Sequence, residues 1–190
     1  MLYYVSTPPP SPWRHSMKKI LLASSLIVLG MSSAFAADGT ITINGLVTDS
    51  TCLINAGTPD FIVTLPTVNK SALATAGQTA GRTAFAINLT GCTPETNVAT
   101  YFEPGSTVDL ATGRLNTAAG GADEVQVQLL GSNNLPISLL ATNGVPQTNS
   151  QSVATTSGAA ELNYYAEYYA TGTATPGTVN TSVQYTIIYP

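Results

Sequence analysis

Apolar and polar residues alternate with a period of two in several separate stretches, and this pattern predicts β-strands. Thr40-Ile41-Thr42-Ile43-Asn44 alternates in this way. Thr83 to Leu89 sets Phe85, Ile87 and Leu89 on one face, and Glu124 to Leu129 does the same with Val125, Val127 and Leu129. Ser182 to Tyr189 aligns Val183, Tyr185, Ile187 and Tyr189. Each is expected as a half-buried strand. Turn signals separate them: Asn55-Ala56-Gly57, Glu103-Pro104-Gly105, Gly120-Gly121, Gly131-Ser132-Asn133-Asn134, Asn143-Gly144 and Thr175-Pro176-Gly177. Short strands at such spacing predict a sandwich or barrel. Residues 37–190 show no long helical stripe; Ser71 to Gly81 is expected as a short helical turn or a loop. No solenoid repeat and no linker-like shift in composition divides them, so they are expected to fold as one unit.

The beginning of the chain follows another pattern. Lys18 and Lys19 precede an apolar run from Ile20 to Gly30, and Ala34-Phe35-Ala36 has the small-x-small form that a signal peptidase accepts. A cleaved signal over residues 17–36 is expected rather than a membrane span, because Ser24, Ser25, Gly30, Ser32 and Ser33 dilute the run and no stop-transfer charges follow. Residues 1–16, with Pro8 to Pro10 in a row, stand upstream of a second methionine, Met17, that begins a complete signal. They are expected to be a mis-assigned start and take no part in the fold.

Charge then narrows the function classes. Without residues 1–36 the chain keeps Lys70, Arg82 and Arg114 as its basic residues, against 10 acids. Nucleic acid and anionic membrane surfaces are poor partners for such a balance. The same cut removes His15, the sole histidine, so neither a Ser-His-Asp nor a Cys-His constellation can form. No nucleotide loop appears, and no cofactor is expected. Asp123 and Glu124 are paired carboxylates, but neighbours in a strand point to opposite faces, and a charged loop edge is the better reading. Glu161 and Glu167 carry no signal of a site. Tyr164, Tyr165, Tyr168 and Tyr169 suggest a carbohydrate platform, yet an alternating strand turns half of them inward, which favours packing.

Two cysteines in an exported chain, Cys52 and Cys92, suit one disulfide and are too few for a four-ligand zinc site lacking histidine. The bridge closes a loop of about 40 residues, for which the chain-entropy model gives about 4 kcal/mol.

Together these residues resemble the subunits of chaperone-usher fimbriae. Tyr189 stands at the penultimate position, and Gly177 stands where the family carries a glycine, fourteen residues from the end. Gly45-Leu46-Val47-Thr48-Asp49-Ser50-Thr51-Cys52 looks like the family's leader into the first cysteine, and Phe85 to Cys92 is similar to its second-cysteine strand. Gly113 to Asn116, Val125 to Leu130, Leu135 to Ile137 and Tyr164 to Thr171 fall in the order of the later strands. Each match is weak alone; the set is specific.

The resemblance implies an all-β, incomplete immunoglobulin-like sandwich, completed by a donor strand from a neighbouring subunit, with the Cys52–Cys92 disulfide. It implies a pilin domain over residues 52–190 and a donor extension over 37–51, where Ala37, Gly39, Ile41 and Ile43 share the groove-facing side. Gly177, Val183, Tyr185, Ile187, Tyr189 and Pro190 are the expected acceptor groove and chaperone contact. Expected partners are identical or related pilin subunits, a periplasmic chaperone and an outer-membrane usher, on a route through the periplasm to a cell-surface fimbrium. Pro190 lacks a backbone N–H at the last position, a departure that bears on the chaperone register. The competing reading from the residues alone is a secreted, monomeric immunoglobulin-like module that binds a ligand with loops such as Gly131 to Asn134 or Asn143-Gly144.

Overall fold

The computed structural model describes residues 41–42, 45, 47, 52–142 and 145–190. Contacts divide the chain into two units, Met1–Leu46 and Val47–Pro190. Of the first unit only Ile41, Thr42 and Gly45 are described; Ala37, Gly39 and Ile43, the expected cleavage site and the Asn143-Gly144 turn lie outside the described residues.

The second unit is built from strands on two sheets. The larger has the order β1-β2-β8-β5-β4, with β6 also paired to β5. Here β1 is Leu53–Ile54, β2 Thr79–Thr90, β4 Leu115–Asn116, β5 Val125–Leu130, β6 Pro136–Ile137 and β8 Ala159–Ala170. The smaller sheet has the order β7-β3-β9, with β3 Asn97–Phe102, β7 Ser152–Ala154 and β9 Tyr185–Ile188. Every pairing is antiparallel.

The long β2–β8 pair forms the spine of the larger sheet, with Phe85 opposite Tyr164, Ile87 opposite Leu162 and Leu89 opposite Ala160. Because side chains alternate between faces, this register puts Phe85, Ile87, Leu89, Leu162 and Tyr164 together on the inner face. Phe102 of the smaller sheet meets Tyr164 edge to face, with ring centroids 5.2 Å apart. The core therefore lies between the sheets, where Ile87, Val98, Leu129, Leu139 and Leu162 are all buried. The stretch expected as a turn or loop begins with a 3-10 turn at Lys70–Leu73, whose start is capped by Asn69 Oδ1 accepting from the Ser71 amide at 2.9 Å.

Three expectations need correction. β5 is buried on both faces, not one. Its outward Gln126 and Gln128 lie beneath the Asp109–Arg114 turn: Gln126 donates to Asp109 at 2.8 Å, and Arg114 Nε donates to Gln128 at 3.1 Å. Glu167, which gave no signal in the sequence, is buried at 2% exposure. It accepts from Arg82 Nε at 2.8 Å and from Gln128 Nε2 at 2.6 Å, which makes burial of a carboxylate tolerable. Lastly, Ile41 and Thr42 lie outside any strand, and Ile41 is 89% exposed. Alternation supplies only half of a ladder, and a segment becomes a strand only where a second edge pairs with it.

The cysteines are bonded: Cys52 and Cys92 are joined, with Cα atoms 4.3 Å apart. The bridge ties the residue before β1 to the loop that follows β2.

Candidate functional site

The sandwich is open along one side. A groove of about 910 Å³ runs between two extended segments, Pro59 to Leu65 and Val179 to Tyr185, and its floor is made of core side chains, including Ile87, Phe102, Leu115, Val127 and Leu129.

Each wall is strand-like in sequence. Phe61-Ile62-Val63-Thr64-Leu65 is a β-favouring run bounded by Pro59 and Pro66. Val63 and Leu65 pack on the core while Ile62 points outward at 91% exposure. In the other wall Val179, Thr181, Val183 and Tyr185 are half-buried and the residues between them are exposed. Both walls thus alternate with the period of a pleated edge, yet neither is part of a ladder at the groove.

The hydrogen bonds show which side of the second wall is unpaired. The carbonyls of Thr178, Asn180 and Gln184 accept from the amides of Ala122, Ala118 and Glu103 at 2.8, 2.8 and 2.9 Å, and the Ser182 carbonyl accepts from Thr107 Oγ1 at 2.7 Å. Even-numbered residues therefore turn their backbone groups away from the groove. By the alternation of an extended chain, Val179, Thr181 and Val183 turn theirs toward it, and among the described residues these backbone groups make no hydrogen bond. The backbone from Phe61 to Leu65 likewise has no hydrogen bond among the described residues. Two unpaired edges thus face each other across an apolar floor, and each exposed amide or carbonyl there lacks the partner that a buried backbone group normally finds.

At the Tyr185 end the walls touch. The Tyr185 hydroxyl donates to the Pro59 carbonyl at 2.7 Å. Phe61 lies between Tyr185 and Phe85, with centroid separations of 6.2 and 6.0 Å. Burial pushes the Tyr185 phenol above its ordinary value, and the Asp60 carboxylate adds to the shift, so the hydroxyl stays protonated and able to donate at neutral pH. The floor residue Tyr168 is shifted up by burial alone.

Of the residues singled out in the sequence, Val183 and Tyr185 line the groove. Ile187 and Tyr189 continue the same face beyond it and pack on the core. Tyr189 also accepts from the Cys52 amide through its hydroxyl at 3.2 Å, linking the end of the chain to the disulfide. Pro190 is exposed. Gly177 is placed elsewhere: a Cβ there would meet the Ala122 amide nitrogen at 2.5 Å, so only glycine fits against the Gly121–Ala122 backbone. Three of the four tyrosines of β8 serve packing. Tyr164 is buried, Tyr168 lines the groove floor, and Tyr169 carries the Arg114 guanidinium 3.6 Å above its ring centre. Sequence reasoning missed the Pro59–Leu65 wall, although its apolar run between two prolines was available as a signal.

The chain's relatives accord with this architecture. The family model of the type-1 fimbrial protein, A (FimA), matches residues 65–190. The major fimbrial subunit SMF-1 of Stenotrophomonas maltophilia is 64% identical over 163 residues, covering 83% of this chain and 95% of the relative. The F17 fimbrial protein of Escherichia coli is 41% identical over 180 residues, covering 91% and 99%. Among solved structures, a chain of a chaperone-usher pilus superposes with a TM-score of 0.57 at 19% identity, covering 81% of this chain and 96% of that one. The chain belongs to the type-1 fimbrial protein family. It is a structural subunit of a cell-surface fimbria, not an enzyme, with an immunoglobulin-like β-sandwich fold and related pilin subunits as its partners.

Proposed function

We propose that the groove receives a β-strand from a neighbouring subunit, and that residues 37–51 of this chain supply the corresponding strand to the next. The observation that carries this reading is the pair of unpaired edges flanking an apolar floor. An added strand gains main-chain hydrogen bonds on both sides, and its alternate side chains enter the space between the sheets. Ala37, Gly39, Ile41 and Ile43 share one side of such a strand, so the two isoleucines are its large apolar groups. Full burial of each contributes about 1.5–3 kcal/mol.

An empty groove of this kind is an aggregation hazard. A periplasmic chaperone that fills it temporarily, with exchange at an outer-membrane usher, completes the reading. Residues 17–36 then act as the export signal, residues 37–51 as the donor and residues 52–190 as the acceptor domain, with the groove and the strand ending at Tyr189 and Pro190 as the chaperone contact.

Deleting residues 37–44 tests the proposal. The truncated subunit should still be exported and should bind the chaperone, but it should terminate or be absent from fibres seen by electron microscopy. Fibres of normal length built from the truncated chain alone would rule the donor assignment out.

A further inference from the structure

The two ends of the groove are not alike. At the Val179 end no hydrogen bond joins the walls among the described residues, whereas at the other end the Tyr185 hydroxyl spans to the Pro59 carbonyl at 2.7 Å with Phe61 packed beside it. We propose that Tyr185 is a brace that ties the walls of the unoccupied groove together and must let go before a donated strand can seat along its whole length. The inference rests on the strand-acceptor reading above and adds a residue that controls how fast the acceptor fills.

Three observations support it. The hydrogen bond runs from one wall to the other, joining residues 126 positions apart in the chain, so it constrains groove width rather than local conformation. A strand seated between two edges holds them about 9–10 Å apart, two spacings of 4.7–4.9 Å. A tyrosine reaching from one edge to a carbonyl on the other occupies the level at which a donor residue would place its side chain. Finally, Tyr185 is fixed from behind: Phe102 of β3 pairs with it, and Phe61 contacts its ring edge-on at 6.2 Å. The ring is therefore placed so that its hydroxyl donates across the groove. Opening the brace sacrifices one neutral hydrogen bond, a loss that corresponds to about two- to tenfold in an equilibrium or rate.

The test uses the full chain, kept dilute and monomeric, and a fluorescently labelled peptide of residues 37–45 as the incoming strand. Tyr185→Phe retains the ring and removes only the brace. It should raise the insertion rate about two- to tenfold and lower the melting temperature of the peptide-free subunit. Tyr101→Phe removes a hydroxyl that accepts from the Thr142 amide at 3.3 Å outside the groove, and it should leave the insertion rate at the wild-type value. Equal insertion rates for wild type and Tyr185→Phe, with the peptide clearly bound by both, would overturn the brace and leave the acceptor reading standing. A rate raised equally by Tyr101→Phe would also overturn it, because general loosening would then explain the effect. Failure of the peptide to bind any of the three proteins would overturn the acceptor reading, and the brace with it.

Discussion

At the scale of single residues, the least expected feature is Glu167, a buried carboxylate on the outer face of the larger sheet. Arg82, with 42% of its side chain exposed, donates to it from the neighbouring strand β2, and Gln128 donates from β5 on the other side. The hydrogen bond to Glu167 is the main reason that the Arg82 pKa is raised. Removing one partner leaves the other's charge buried, which costs more than the pair itself contributes. Arg82→Met is expected to destabilise the subunit by about 2–3 kcal/mol, below the full range for buried pairs because Arg82 is partly solvated and Gln128 remains. Chemical denaturation checks this, and Glu167→Gln should restore much of the loss in the double variant. Asp109 offers a pH-dependent counterpart. The Ala111 amide, at 2.7 Å, is the first cause holding its carboxyl below the usual carboxylate range, and Thr112 and Gln126 also donate to it. A depressed folded-state pKa contributes stability above the unfolded value of about 3.9 and loses it as pH falls through the folded value. The gap in melting temperature between wild type and Asp109→Ala should therefore be widest near neutral pH and narrow below about pH 4.

At the scale of elements, alternation revealed β2, β5 and the stretch that holds β9, but neither β3, which is paired on both sides, nor the unladdered wall from Phe61 to Leu65. β2 and β5 were legible because their inward positions, Phe85 to Leu89 and Val125 to Leu129, repeat every second residue, whereas β8 was marked by its place in the order of the family's later strands. Phe61 to Leu65 has the same chemistry but is short and closed by proline at both ends, so nothing local distinguishes a groove wall from a loop. The face on which Glu167 is covered could not be read at all, since the cover comes from Arg82 and Gln128, distant in sequence. The groove itself is a property of two edges that fail to meet, and periodicity along one segment carries no information about its spatial neighbour. The proposed donor segment shows the reverse case: Thr40 to Asn44 has the pattern of a strand, yet Ile41 is exposed and outside any ladder. This separates two effects in one substitution. Ile41→Asp should change the stability of the isolated subunit by no more than about 0.5 kcal/mol, as for other exposed positions. In assembly it loses the isoleucine's burial and places a carboxylate in an apolar groove, so fibre formation should fall by orders of magnitude. Paired denaturation and polymerisation assays check both halves.

At the scale of the whole molecule, the subunit is a sandwich whose core also lines the proposed strand-acceptor groove. Ile87, Phe102, Leu115, Val127 and Leu129 belong to the core cluster and also line the groove. On the strand-acceptor proposal, filling the groove and stabilising the fold are the same event, and the two are linked by mass action. A ligand that binds only the folded state raises stability by RT ln(1 + [L]/Kd), which is about 2.7 kcal/mol at a hundredfold excess over Kd. A peptide of residues 37–45 should accordingly raise the melting temperature of the subunit continuously with concentration, without reaching a plateau when the site is first saturated. For a domain of this size, 2.7 kcal/mol corresponds to roughly 5–11 °C. The same titration with Ile43→Asp in the peptide should produce no shift at matched concentration. A module that binds ligands through its loops, with a core complete in itself, would gain nothing from this peptide. Differential scanning calorimetry over the titration distinguishes the two, because only an unfinished core couples its melting temperature to the concentration of its own leading segment.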